Sequence, residues 1–281
     1  MSKEITPFQL SIPQADLDDL QARLARTRFP DPETVDDTSQ GPRLARLRAL
    51  VEHWSGGYDW RRCEALLNGL GQHRTEIDGL GIHFLHVRSP EPGALPLLMT
   101  HGWPGSVLEF RHVIGPLTDP VAHGGKAEDA FHLVLPTLPG FGFSDQPTGA
   151  GWNVERIADA WIELMRRLGY ERWAAQGGDW GSYVTSTIGQ KMPAGLVGIH
   201  LNMAMFEPTD EERADATPHE QKLLDDAQRY DECYSGYNKV QSTRPQAVGF
   251  GLADSPAGLA AWIDSFVQDA AQDAAALDLD E

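Results

Sequence analysis

The stretch Trp173-Ala174-Ala175-Gln176-Gly177-Gly178-Asp179-Trp180-Gly181-Ser182 holds the residue best suited to covalent chemistry. A short apolar run leads into two glycines, an acid, a further glycine and a segment of helical spacing. That layout is a nucleophile elbow, in which a strand turns sharply into a helix and presents one side chain above a sheet. Small residues must flank the nucleophile, because its backbone is held in a conformation that bulkier neighbours would block. Gly177 and Gly181 occupy those flanks, and Asp179 stands where a serine is more usual. A carboxylate there points to attack at carbon, with an ester formed on the enzyme itself. An isolated Gly-Asp would be a turn or a helix cap; the strand before it, the helix after it and the paired glycines favour the nucleophile.

His101-Gly102-Trp103-Pro104 closes an earlier strand, where this layout places an oxyanion loop. The backbone N–H groups of Trp180 and Trp103 would then stabilise negative charge at the Asp179 carboxyl. Alternatively His101 and Pro104 only shape a tight turn, and His101 is read as structural, not as the catalytic base. Tyr237 carries a phenol that could give a proton to an oxygen becoming an alkoxide. By pattern alone a lone Tyr is more often packing, and Tyr230, Tyr234 and Tyr58 are no better distinguished.

These residues need a scaffold, and the chain has the length for one. It has 281 residues, 41 % hydrophobic and 23 % charged, enough for one substantial core. The net charge of −18 argues against nucleic acid and anionic membrane as partners. Cys63 and Cys233 sit in no metal-ligand or C-x-x-C spacing, so two free thiols are expected. No motif calls for a metal ion or an organic cofactor, and none is expected. The N-terminus lacks an apolar signal region and no run is long enough to span a bilayer, so a cytoplasmic location is expected.

Alternation predicts a short strand over 8–12, followed by a helix of about 14 residues bearing Leu17, Leu20 and Leu24. Further helices are expected over 43–55 and 59–70, a helical meander packed as a collar against the remainder of the chain. A hairpin is predicted over 73–77 and 82–87, buried strands over 95–100 and 131–136, and a strand over 196–201. Helices are expected over 107–118, from Asn153 to about Leu168, and over 181–191. Strands alternating with helices indicate an α/β fold with a mainly parallel sheet. Residues 207–235 show helical spacing, Tyr237 lies in a connecting segment, and Ser255-Pro256 opens a last helix.

Several motifs together resemble the epoxide hydrolases of the microsomal type, within the α/β-hydrolase superfamily. They are Arg28-Phe29-Pro30-Asp31, Tyr58-Asp59-Trp60-Arg61, the 101–106 and 138–144 loops, the elbow, Tyr237 with 241–245, and Asp254 through Trp262. The likeness runs from about residue 4 to 263. It implies an N-terminal region over 1–100 that wraps the catalytic domain, an α/β-hydrolase core over 73–205 and a partial lid over 206–281. It also implies that Asp179 attacks a carbon of a small apolar epoxide. Trp103 and Trp180 would provide the oxyanion N–H groups, and Tyr237 would be one of two lid tyrosines binding the epoxide oxygen.

In that family a second lid Tyr, an acid and a His come after the segment that here ends near Ile263. The His activates the water that hydrolyses the ester to a diol. All ten histidines of this chain lie at or before His219, and past Ile263 the pattern gives way to an acidic, alanine-rich tail. The sequence therefore reads as truncated, with the ester expected to persist and strand 196–201 expected at an unprotected sheet edge prone to association. The alternatives are a haloalkane dehalogenase-like hydrolase, which also uses an Asp-Trp elbow, and an inactive hydrolase-fold protein.

Overall fold

The computed structural model of the chain describes residues 4–204 and 207–270. Seven strands form one sheet: β1 (Thr6–Pro7), β2 (Gln72–Ile77), β3 (Leu80–Val87), β4 (Leu95–Thr100), β5 (Phe131–Pro136), β6 (Trp173–Gly177) and β7 (Leu196–Leu201). The helices of the first half are α1 (Gln14–Leu24), α2 (Leu44–Gly56), α3 (Trp60–Asn68), α4 (Arg111–Thr118) and α5 (Val154–Arg167). Those of the second half are α6 (Trp180–Lys191), α7 (Asp210–Ala214), α8 (Pro218–Cys233), α9 (Gly236–Thr243), α10 (Pro245–Asp254) and α11 (Pro256–Ala270). The strand order is β1-β2-β3-β5-β4-β6-β7. Pairing is antiparallel from β1 to β5 and parallel among β5, β4, β6 and β7. This is the mixed sheet with a parallel core of an α/β-hydrolase fold.

The described residues separate into two compact units, one holding 4–11 and 61–204, the other 12–60 and 207–270. In the first, the central strands read as continuous apolar runs because both faces are covered. Leu85, Leu98, Leu133 and Leu135 are fully buried. Helix α5 starts where Asn153 Oδ1 accepts the Arg156 N–H at 3.1 Å. Its inner face places Ala158, Trp161, Leu164 and Met165 in the core with Ile82, Phe84 and Val134 of the sheet. Each large side chain of that set contributes about 1.5–3 kcal/mol by leaving water.

The second unit joins helices from opposite ends of the chain. Leu24 of α1, Val51 of α2 and Ala257 of α11 form its core, flanked by Leu20, Phe29 and Trp54. Arg46 on α2 and Asp264 on α11 make three hydrogen bonds of 2.9–3.1 Å, with side chains only 15 % and 7 % exposed. Helices α1 and α2 are thus built onto α11, from the far end of the chain.

Some expectations need correction. The alternation over 8–12 is a real pattern of burial, with Leu10 buried, but only Thr6–Pro7 joins the ladder. Beyond Phe8 the backbone turns to a side chain: the Asn68 amide accepts from Leu10 N and donates to Leu10 O, each at 2.9 Å. Residues 107–118 split into a 3₁₀ turn over 107–110 and α4. Tyr237 lies on a helix, α9, and 245–254 form a further helix that the sequence pattern did not reveal. The tail from Asp264 to Ala270 continues α11, while 271–281 lie outside the described residues. Strand β7 is the outermost described strand on its side, with Val197 and Ile199 exposed.

Candidate active site

The elbow forms where β6 ends and α6 begins. Asp179 takes φ 52° and ψ −126°, a left-handed conformation that costs a non-glycine residue about 1–3 kcal/mol. The neighbouring glycines make that conformation possible through close approach. A Cβ on Gly181 would overlap the Thr100 carbonyl at the end of β4, and one on Gly177 would overlap the Gly181 carbonyl. The turn is closed by Ser182, whose hydroxyl donates to Gly177 O at 2.9 Å. The strained residue is therefore fixed from β4, β6 and α6 together.

Asp179 Oδ1 accepts two backbone N–H groups, from Trp180 at 2.6 Å and from Trp103 at 2.8 Å. These are the two donors expected from the sequence, and the fold brings Trp103 across 76 positions to reach the carboxylate. Among the described residues no donor is assigned to Oδ2. The carboxyl packs on Gly102, where a Cβ would overlap Asp179 Oδ1, Cβ and Cγ. The Trp180 indole is about half exposed and stacks obliquely on Tyr183 at 5.5 Å.

His101 is buried and its ring is engaged on both sides. Nε2 accepts the Leu138 N–H at 3.1 Å, so Nε2 carries no proton and Nδ1 donates to Gly102 O at 3.1 Å. Burial holds its pKa below the ordinary histidine value, against the opposing effects of Gly102 O and Asp179. A neutral imidazole locked to two backbone groups shapes the loop, which matches the structural role expected for His101.

Tyr237 sits on α9 in the second unit. Its hydroxyl is 2.7 Å from the Tyr230 hydroxyl on α8, and its ring meets Phe266 of α11 edge-on at 5.2 Å. The structure thus joins Asp179, Trp103 and Trp180 in one site and places Tyr237 in the other unit. Sequence reasoning passed over Glu109 on the 3₁₀ turn. Burial of its carboxyl and then the charge of Asp179 push its pKa up to about 7, opposed by a hydrogen bond from the Ser106 N–H. The signal available was the Ser106-Val107-Leu108-Glu109 capping pattern, which by itself indicates only a helix start.

Among the described residues no group of three or more His, Cys, Asp and Glu could hold a metal ion. No helix among them is long and apolar enough to cross a membrane.

Comparison with known proteins places this geometry. Residues 5–110 match the epoxide hydrolase N terminus family and residues 96–233 the alpha/beta hydrolase fold family. The chain is 60 % identical over 259 residues to a Stigmatella aurantiaca (strain DW4/3-1) protein named "Putative epoxide hydrolase", covering 92 % of this chain and 59 % of that protein. It is 34 % identical over 284 residues to epoxide hydrolase 1 of Oryctolagus cuniculus, covering 93 % of this chain and 62 % of that one. The chain therefore spans about three fifths of the length of these curated relatives. The Aspergillus niger epoxide hydrolase structure superposes with a TM-score of 0.83 at 32 % identity, over 93 % of this chain and 69 % of that one. By its sequence, its fold and its aspartate elbow, the chain belongs to the epoxide hydrolases of the microsomal type.

Proposed function

We propose that Asp179 opens an epoxide ring by attack of Oδ2 on a ring carbon, forming an alkyl ester on the enzyme. The observation that carries this reading is the pairing of both N–H donors, Trp103 and Trp180, on Oδ1. One carboxylate oxygen is held and the other is left to attack. The C–O bond of the ring breaks as the new C–Oδ2 bond forms, and the ring oxygen takes a proton from a donor. Tyr237 is assigned that role on the family likeness and the chemistry of its phenol, whose hydrogen bond with Tyr230 would fix its rotamer.

Hydrolysis of the ester would place negative charge on Oδ1 in a tetrahedral intermediate, where the two N–H groups already point. The substrate is read as a small apolar epoxide and the second reactant as water. Trp180 and Trp103 could also serve a halide leaving group, but the match to the epoxide hydrolase N terminus family favours the epoxide.

The reading is tested by incubating the protein with styrene oxide and following intact mass and the peptide carrying Asp179. A gain of one epoxide mass on Asp179, absent in Asp179→Asn, is expected. Labelling that is equal in Asp179→Asn, or halide release from a haloalkane without any epoxide adduct, would overturn it.

A further inference from the structure

The motif Arg28-Phe29-Pro30-Asp31 lies in the second unit, outside the elbow and its loop, and borders two cavities there. The first, of about 450 Å³, is polar. Arg23 and Arg26 from the end of α1, Arg28 beyond it, and the carboxylates of Asp19 and Asp254 line it. The second, of about 500 Å³, is lined by Phe29, Leu44, Leu47, Ala257 and Ala261, of which Leu47 and Ala257 are buried. Thr27, Arg28 and Ser255 line both, so the charged cavity and the apolar one adjoin. Each has the size of a small-molecule site.

Basic residues at a helix end often do no more than complement its dipole. Arg23 fits that account: Nε donates to Asp19 at 2.7 Å and Nη1 to Asp254 O at 3.3 Å. Arg26 fits it in part, since Nε donates to Ala22 O at 3.0 Å. Its Nη groups, and the whole guanidinium of Arg28, have no protein partner among the described residues. Arg28 also lies past the end of α1, where that account does not reach. In the polar cavity three guanidinium groups meet two carboxylates, which leaves one positive charge in a chain of net charge −18. In the apolar cavity Glu33 is already engaged by Arg43 Nε at 3.1 Å and the Leu44 N–H at 3.0 Å, and Asp31 is exposed.

We infer that the two cavities form one binding site for a singly charged carboxylate that carries an apolar chain. The head group takes the free N–H groups of Arg26 and Arg28, and the chain lies over Phe29, Leu47 and Ala257. A guanidinium fork matches the two oxygens of a carboxylate, so Arg28 can hold the head with two parallel bonds. The single net charge selects a monoanion: Asp19 and Asp254 would repel the second charge of a phosphate monoester. Burial of the chain adds affinity that a bare anion cannot gain. Binding here is non-covalent and does not depend on Asp179 being a nucleophile.

The test is calorimetric titration of the whole chain with octanoate, and with acetate, octanol and octyl phosphate for comparison. Octanoate should bind saturably, with acetate and octanol each at least about tenfold weaker and octyl phosphate no tighter. Arg28→Gln changes an exposed residue, so it should melt as the wild type does while binding octanoate at least about tenfold more weakly. Ala261→Phe, which fills the apolar cavity, should weaken octanoate as well. Arg172→Gln, at an exposed arginine of the first unit, should leave binding unchanged. No binding of octanoate to the wild type, or equal binding to wild type and Arg28→Gln, overturns the site. Octanol or acetate binding as tightly as octanoate overturns the joint reading of head and chain, and tighter binding of octyl phosphate overturns the choice of a monoanion.

Discussion

Replacing Gly102 by Ala is the most direct probe of how the 101–105 loop meets Asp179, the proposed nucleophile. The new Cβ would overlap Oδ1, Cβ and Cγ of Asp179, so the carboxyl or the loop must move. Asp179 has little room to retreat, because its φ of 52° is fixed by the close packing of Gly177 and Gly181. The displacement therefore falls on the 2.8 Å bond from the Trp103 N–H, at the residue next to the substitution. A hydrogen bond to a charged group is worth about 1.5–3 kcal/mol. Removal of one oxyanion donor typically slows turnover by about 10²–10³. The expected outcome is alkylation of Asp179 slowed by about tenfold and ester hydrolysis slowed by about 10²–10³, because charge on Oδ1 is greatest in the tetrahedral intermediate. Overpacking would cost about 1–3 kcal/mol of stability. The assay is the rate of gain and loss of the epoxide mass by intact mass spectrometry, with a thermal melt alongside. Gly93→Ala is the control, since a Cβ there meets nothing within 4 Å. If Gly102→Ala forms and loses the adduct at the wild-type rates while melting cooperatively, the proposed contact between loop and nucleophile has no chemical consequence.

Two stability predictions are independent of the chemistry. His83 is fully buried between Thr137 Oγ1 at 2.7 Å and Gln72 Oε1 at 3.0 Å, and burial, then Arg74 and His73, lower its pKa from 6.5 to about 4. The unfolded chain thus takes up the proton first as pH falls. The contribution is complete above about 6.5 and is lost between there and about 4, a span worth about 3 kcal/mol at ~1.36 kcal/mol per pH unit. Urea unfolding from pH 4.5 to 7.5 should show this loss in the wild type and a smaller one in His83→Gln; equal slopes would refute it, with His86 contributing to both. In the second unit, Asp264→Ala strands the nearly buried Arg46 guanidinium and should cost about 3–5 kcal/mol. The double variant Arg46→Met with Asp264→Leu should recover most of that, and a single variant as stable as wild type would show the pair to be inert.

The turn that carries Asp179 was legible in the sequence because an elbow is a local object. Its requirements, small neighbours and a left-handed residue between strand and helix, fall within the ten residues 173–182. The helix from Asn153 and the strands at 95–100 and 131–136 were legible for the same reason, since periodicity and capping act over one or two turns. Other features depended on what meets what across the chain. The strand over 8–12 failed because alternation reports burial but not a hydrogen-bonding partner, and Asn68 supplied one from a side chain. Tyr237 has no local signature that separates it from Tyr230, and the tertiary structure adds only that their hydroxyls meet.

By itself, the sequence determined the elbow that carries Asp179, the two tryptophans whose backbone N–H groups face it and the alternation of strands and helices that underlies the parallel core of the mixed sheet. Only the tertiary structure decided that both N–H groups fall on one oxygen of Asp179, that the Glu109 carboxyl fills the space left by Gly105, and that Asp264 anchors Arg46 of α2 across 218 positions. A local backbone requirement is written in neighbouring residues. The environment of a charge depends on which distant segments remove water from it, and that is settled only when the chain closes on itself.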